Sequence, residues 1–190
     1  MPLCYFAYGS NMLTKRLQKR CPGAVSKERA YAADWIVKFS KPSKDCSGKA
    51  TLSPKNGCRT PGMLFEIPDS EVCRLDKYEG VGYGYERCNT FCVRLAESGK
   101  VVPVATYLAT FTKPDLKPYD WYLALVIAGA REHIPDEDHL VMLRHVTYMR
   151  DPRCDREERS KAKKVLAEAG YTDYRCLLNR DLCESATWAV

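Results

Sequence analysis

The chain has 190 residues, 45% of them apolar and 28% charged, the make-up of one globular domain large enough to bury a core. No apolar run reaches membrane-spanning length and no charged-then-apolar leader opens the sequence, so a cytoplasmic protein with no membrane role is expected. The formal net charge of +6 is uneven, with twelve Lys/Arg against three Asp/Glu in residues 1–60, which suits small anionic substrates and leaves a nucleic-acid module as a rival.

The first predicted strand, 3–8, ends in Tyr5-Phe6-Ala7-Tyr8 and stops at Gly9-Ser10-Asn11; a short helix follows over 12–20. Gly9 is free to take positive φ there, and Ser10 or Asn11 is placed to cap the helix. Unpaired N–H groups then converge beside a positive helix end, a seat for a carboxylate, a phosphate or a developing oxyanion.

Ala33 to Phe39 alternates like a strand, 41–48 is a polar loop, and Ala50-Thr51-Leu52 is extended. Pro54 to Thr60 reads as a turn and 61–67 as another strand. Asp69 or Ser70 is expected to cap a helix that ends at Glu79-Gly80. Past a Gly/Tyr-rich turn, 86–95 and 101–109 pair as a hairpin across 97–100, with Pro103 marking an edge or a bulge. Asp120 is expected to cap an apolar helix reaching Arg131, and another helix runs from 135 to about His145.

A charged amphipathic helix spans 155–169 and stops at Gly170. The sum is an α+β fold: a small mixed sheet or barrel of about five to seven strands with flanking helices. A catalytic domain is expected over 1–150, with 151–190 as a C-terminal extension packed on it. That extension could cover the pocket, form a homodimer interface, or do neither.

Ten cysteines are scattered without a Cys-x-x-Cys pair, so reduced, mostly buried thiols are expected and no metal site. Cys88 and Cys92 would share one face of a strand. The basic residues of the first third are spread without interleaved aromatics, which disfavours nucleic acid. Opposite the Gly9 turn the best candidate for chemistry is Glu79, set before Gly80 with Leu75 and Tyr78 preceding it. A carboxylate shielded by such aromatics suits proton exchange, although Glu-Gly at a helix end is more often a solvated stop.

Tyr5-Phe6-Ala7-Tyr8-Gly9-Ser10-Asn11-Met12 together with Leu75-Asp76-Lys77-Tyr78-Glu79-Gly80-Val81 resembles the γ-glutamylcyclotransferase family, also described as AIG2-like. Trp121-Tyr122-Leu123 through Ala128-Gly129-Ala130-Arg131-Glu132 is similar to the family's late apolar helix, so the resemblance runs from about residue 4 to residue 146. It implies an intramolecular aminolysis: the α-amine of a γ-glutamyl group attacks its own γ-carbonyl, giving 5-oxoproline and a free amino acid or amine. In that reading Glu79 is the catalytic acid/base and Tyr8, Gly9, Ser10 and Asn11 hold the γ-glutamyl group. Tyr122 is similar to a pocket-lining tyrosine, with Tyr85 and Arg87 as further lining candidates. The resemblance requires no cofactor, metal, nucleotide or covalent intermediate. Its branches act on γ-glutamyl-amino acids, γ-glutamyl-amines, glutathione or acyl carriers, and Asn11 with Glu79-Gly80-Val81 leans towards the first. A non-catalytic binding member of the fold is the alternative.

Overall fold

The computed structural model describes residues 1–179; Cys183 and the end of the extension, 180–190, lie outside the described residues. Five strands close into a barrel: β1 (Leu3–Ala7), β2 (Val25–Pro42), β3 (Gly48–Ile67), β4 (Tyr85–Leu95) and β5 (Val101–Ala109). Their order around the barrel is β1-β3-β2-β4-β5. All neighbours are antiparallel except β1 and β5, which close the barrel in parallel at Tyr5 and Ala105. The helices are α1 (Thr14–Arg20), α2 (Asp69–Glu79), α3 (Asp120–His133), α4 (Glu137–Arg144) and α5 (Glu157–Glu168).

The α+β barrel is the expected class, but β2 and β3 are far longer than their local patterns indicate. Residues 54–60 continue β3 instead of turning, with Pro54 and Pro61 in register opposite Trp35 and Tyr31. The surplus residues between Pro54 and Arg59 bulge out opposite Asp34, the one residue between Ala33 and Trp35. Asp34 takes φ 61° and its Oδ1 accepts the Gly57 N–H at 2.8 Å, so one side chain holds the bulge in place. Local turn chemistry is present; long-range pairing absorbs it.

Another bulge, between Cys88 and Phe91 in β4, breaks the even spacing that would have aligned Cys88 with Cys92. Cys88 is consequently half-buried against the core while Cys92 is exposed. The expectation of mostly buried thiols also fails among the described residues. Cys21 is buried, whereas Cys4, Cys46, Cys73, Cys92 and Cys154 are exposed.

α3 is the hub of the helical layer, buried at every residue from Asp120 to Ala130. One side packs on the turn after β1, and the other meets α5 and the short 3-10 turn Tyr174–Leu177. Asp120 does not cap this helix: it lies within the first turn, buried, and accepts a hydrogen bond from Tyr174 Oη at 3.0 Å. Neither Asp69 nor Ser70 caps α2 with its side chain, since the cap position is Pro68. The segment leading into α5 is pinned through Asp151, whose carboxylate accepts from Trp121 Nε1 (2.9 Å) and Arg156 Nε (2.7 Å).

Gly129 allows α3 to touch the backbone of the turn that follows β1. A Cβ there would lie 2.4 Å from Leu13 N and 2.8 Å from Met12 C, so any side chain forces the helix outward. Gly129→Ala is expected to lower stability by about 1–3 kcal/mol, as overpacking does, measured by urea unfolding. On α4, buried His139 is held neutral by desolvation, its pKa down from 6.5 to about 4. The unfolded chain therefore takes up that proton first, and stability present above pH 6.5 is lost as pH falls towards 4. The loss is on the order of 3 kcal/mol, and His139→Leu should flatten the thermal-midpoint curve across that window.

Candidate active site

β1 ends at Ala7 beneath the barrel mouth, and Gly9 carries the chain into a 3-10 turn, Ser10–Met12. Gly9 does not use positive φ: it sits at φ −120°, and its need is space, because a Cβ would come within 3.1 Å of Ala50 Cβ. Neither Ser10 nor Asn11 caps α1. That duty falls to Glu132 of α3, whose Oε2 accepts the Thr14 N–H at 3.0 Å, with Thr14 Oγ1 also 2.9 Å from His133 Nε2. Met12 N–H returns to Gly9 O at 2.9 Å, while the amides of Gly9, Ser10 and Asn11 have no acceptor among the described residues.

Asn11 works sideways instead. Its Nδ2 donates to Glu79 Oε1 at 2.8 Å and to Tyr5 Oη at 3.1 Å, and its Oδ1 accepts from Arg20 Nη1 at 3.0 Å. Arg20 Nη1 also donates to Glu79 Oε1 at 2.6 Å. The shield around the carboxylate is thus an amide and a guanidinium, not the aromatics of the sequence reading; Tyr78 is half exposed. Both donors fall on one oxygen, and Glu79 Oε2 has no protein donor among the described residues.

Glu79 owes its position to the end of α2. Gly80 turns left-handed (φ 67°), Gly80 N–H returns to Lys77 O and Val81 N–H to Asp76 O, a glycine-terminated Schellman stop. The last helical side chain is thereby aimed at the turn after β1, 68 residues away in sequence.

Around this junction lies a small inner pocket of about 30 Å³, walled by Tyr5, Tyr8, Tyr85, Tyr107 and Tyr122 with Gly9, Ser10, Asn11, Ala50 and Glu79. Burial, above all, drives the hydroxyls of Tyr5, Tyr8 and Tyr85 well above their usual pKa, and those of Tyr107 and Tyr122 upward too. All five stay neutral near neutral pH. Tyr8 Oη donates to Tyr107 O, and Tyr107 Oη to Asp76 Oδ1 at 2.8 Å. Tyr85 Oη donates to Ala50 O at 2.7 Å, and Tyr122 Oη accepts the Ala50 N–H at 3.1 Å. Those two hydroxyls hold the edge of β3 as well as lining the pocket. The pocket opens into a cleft of about 1040 Å³ that reaches α5.

Of the residues proposed for the site from sequence, Glu79, Tyr8, Gly9, Ser10, Asn11, Tyr85 and Tyr122 line this inner pocket. Arg87 does not; it is tied to Asp76 at 2.8 Å. Tyr5, Tyr107, Arg16 and Arg20 were not singled out. Arg16 and Arg20 had a readable signal, four residues apart on one helical face just after the motif. Tyr107 had none, because only barrel closure brings it near Tyr5, with ring centroids 5.6 Å apart. Among the described residues no cluster of three or more His, Cys, Asp or Glu is placed to hold a metal ion, and no helix is long and apolar enough to cross a membrane.

The AIG2-like family model matches residues 60–142. Bovine gamma-glutamylcyclotransferase is 32% identical over 68% of this chain and 70% of its own length, and the mouse protein of that name 32% identical over 70% and 73%. A solved structure described as gamma-glutamyl cyclotransferase superposes with a TM-score of 0.77 at 27% identity, covering 86% of this chain and 99% of that one. A human protein described as uncharacterized superposes at 0.75, with 28% identity. The shared ground is the fold, that of an enzyme family acting on small molecules. The chain belongs to the γ-glutamylcyclotransferase family.

The Ala50 contacts give a local test. Tyr122→Phe leaves a buried N–H without its acceptor and should cost about 1–3 kcal/mol in chemical denaturation.

Proposed function

We propose that this chain converts γ-glutamyl-amino acids, or γ-glutamyl-amines, to 5-oxoproline with release of the amino acid or amine, Glu79 serving as general acid/base. The observation that carries this reading is the junction of the two motifs. Glu79 is fixed through one carboxylate oxygen by Asn11 and Arg20, and its other oxygen lacks a protein donor beside the unpaired amides of residues 9–11.

The chemistry follows from these parts. The substrate α-ammonium must lose a proton before its nitrogen can attack, and the free carboxylate oxygen of Glu79 takes it. The amine nitrogen bonds to the γ-carbon, closing a five-membered ring, and the carbonyl electrons move onto oxygen. Amide N–H groups of the 9–11 turn are the donors available to that oxyanion or to the substrate α-carboxylate. As the oxyanion collapses, the original C–N bond breaks and Glu79 returns its proton to the departing nitrogen. The ring nitrogen still carries one proton more than a lactam N–H. It gives that proton up through the same carboxylate to the released amine, which leaves as an ammonium. Two protons thus pass from the α-ammonium to the departing nitrogen, and the carboxylate ends as it began. Holding the γ-glutamyl chain folded supplies the remaining advantage, since attack within one molecule gains chiefly from orientation. The neutral tyrosines wall the pocket and supply polar contacts that add no charge to compete with the carboxylate.

The test is direct. γ-Glutamyl-alanine should yield alanine and 5-oxoproline in a chelator-insensitive assay, and Glu79→Gln should lower kcat by about 10²–10⁴-fold. The thermal midpoint of that variant should stay near wild type, because the amide oxygen can still accept from Arg20. Normal turnover by Glu79→Gln overturns the assignment.

A further inference from the structure

The outer cleft is much larger than a γ-glutamyl-amino acid needs, and its charge is one-sided. Its lining carries ten Lys/Arg against three Asp/Glu. Several of these cations are already neutralised: Arg20 by Glu79, Lys49 by Asp45, Arg156 by Asp151, Lys19 by Glu168 and Lys161 by Glu157. Five are not. Arg16, Lys41, Lys44, Lys77 and Lys164 have no carboxylate partner among the described residues.

Two of the five sit where an unpaired charge is costly. Arg16 donates Nε to Ser10 Oγ at 3.1 Å, and desolvation, followed by repulsion from Arg20, brings its pKa down to about 9. Lys41 lies across the pocket mouth, its Nζ 4.9 Å from the Tyr85 ring centroid, and desolvation lowers its pKa as well. Gly84 makes room for it, since a Cβ there would meet Lys41 Nζ at 2.7 Å. Glu79 acts on both cations and Asp45 on Lys41, but none of them within salt-bridge distance, so desolvation dominates and an anion arriving with the ligand would stabilise them. Farther out, Lys44 on the β2–β3 loop and Lys164 on α5 are exposed on the cleft lining.

We propose that this cleft is a subsite for the departing amine, and that the preferred substrates are γ-glutamyl amides whose leaving group carries two or more anionic groups beyond that of a simple amino acid. The inner pocket would hold the γ-glutamyl end, with Arg16 and Lys41 at the junction and Lys44 and Lys164 along the path outward. The inference rests on the cyclotransferase reading for the reaction, but the charge complementarity can be measured without it.

The test compares γ-glutamyl-aspartyl-aspartate with γ-glutamyl-alanyl-alanine, equal in length and differing by two charges. The acidic peptide should have a kcat/KM about tenfold or more higher at low salt, and that ratio should fall steeply by 0.3 M salt. In the double variant Lys44→Glu/Lys164→Glu the ratio should collapse below about threefold, with the thermal midpoint showing that the chain is folded. In parallel, calorimetry on Glu79→Gln should find tighter binding of the acidic peptide, lost in the charge-reversed background. Selective binding with no turnover of either peptide by the wild type would sink the proposed reaction and leave the subsite standing. Turnover of both at equal, salt-independent rates would overturn the subsite. So would tight binding of a single-stranded oligonucleotide with none of the acidic peptide.

Discussion

The close approach of a buried helix to a backbone turn governs this molecule. At Gly129, α3 comes so near the Ser10–Met12 turn that a methyl group would strike Leu13 N at 2.4 Å. The turn has no freedom on its other sides. Gly62 of β3 faces Ala7 O and the Phe6 ring at comparable range, and Gly9 faces Ala50. Three glycines therefore act through absent volume, holding the end of β1 between sheet and helix. A turn held so firmly can keep three amides unpaired, because it cannot relax to satisfy them.

On that fixed turn the electrostatics are simple. One carboxylate enters, clamped on a single oxygen by an amide and a guanidinium, among tyrosines whose burial keeps them uncharged. Cations lie outward from there, where Arg16 and Lys41 form no salt bridge among the described residues. Negative charge sits at the inner end of the cleft and positive charge along the approach. A dianionic or more highly charged ligand would be drawn in and also oriented.

How much of this could be read from residue order alone depends on the range of the interaction. The strand-stop-helix pattern at Gly9 and the helix stop at Gly80 are local, and both are found where the residue types put them. The caps were misjudged for a shared reason. Ser10, Asn11, Asp69 and Asp120 are all good capping residues, yet tertiary partners claim three of the side chains: Arg16, Glu79 with Arg20 and Tyr5, and Tyr174. The length of β2 and β3 is hidden by Pro54, Gly57 and Pro61, turn formers that the barrel absorbs: the two prolines pair in register with β2 and Gly57 falls in the bulge between Pro54 and Arg59. Arg20 was visible as a helical neighbour of Arg16, but its role needed α2 to arrive from elsewhere in the chain.

Glu132 capping α1 across a separation of 118 residues has a consequence for how the protein comes into being. The turn after β1 is synthesised before α3, but α1 has no side-chain cap of its own, and β1 has no lateral neighbour until β3 and β5 exist. Its helix and its arginines are therefore finished only when the far end of α3 has been made and docked. An earlier stretch of the nascent chain is ordered by a later one, and a polypeptide that stops short of α3 carries the motif without the geometry that gives it meaning.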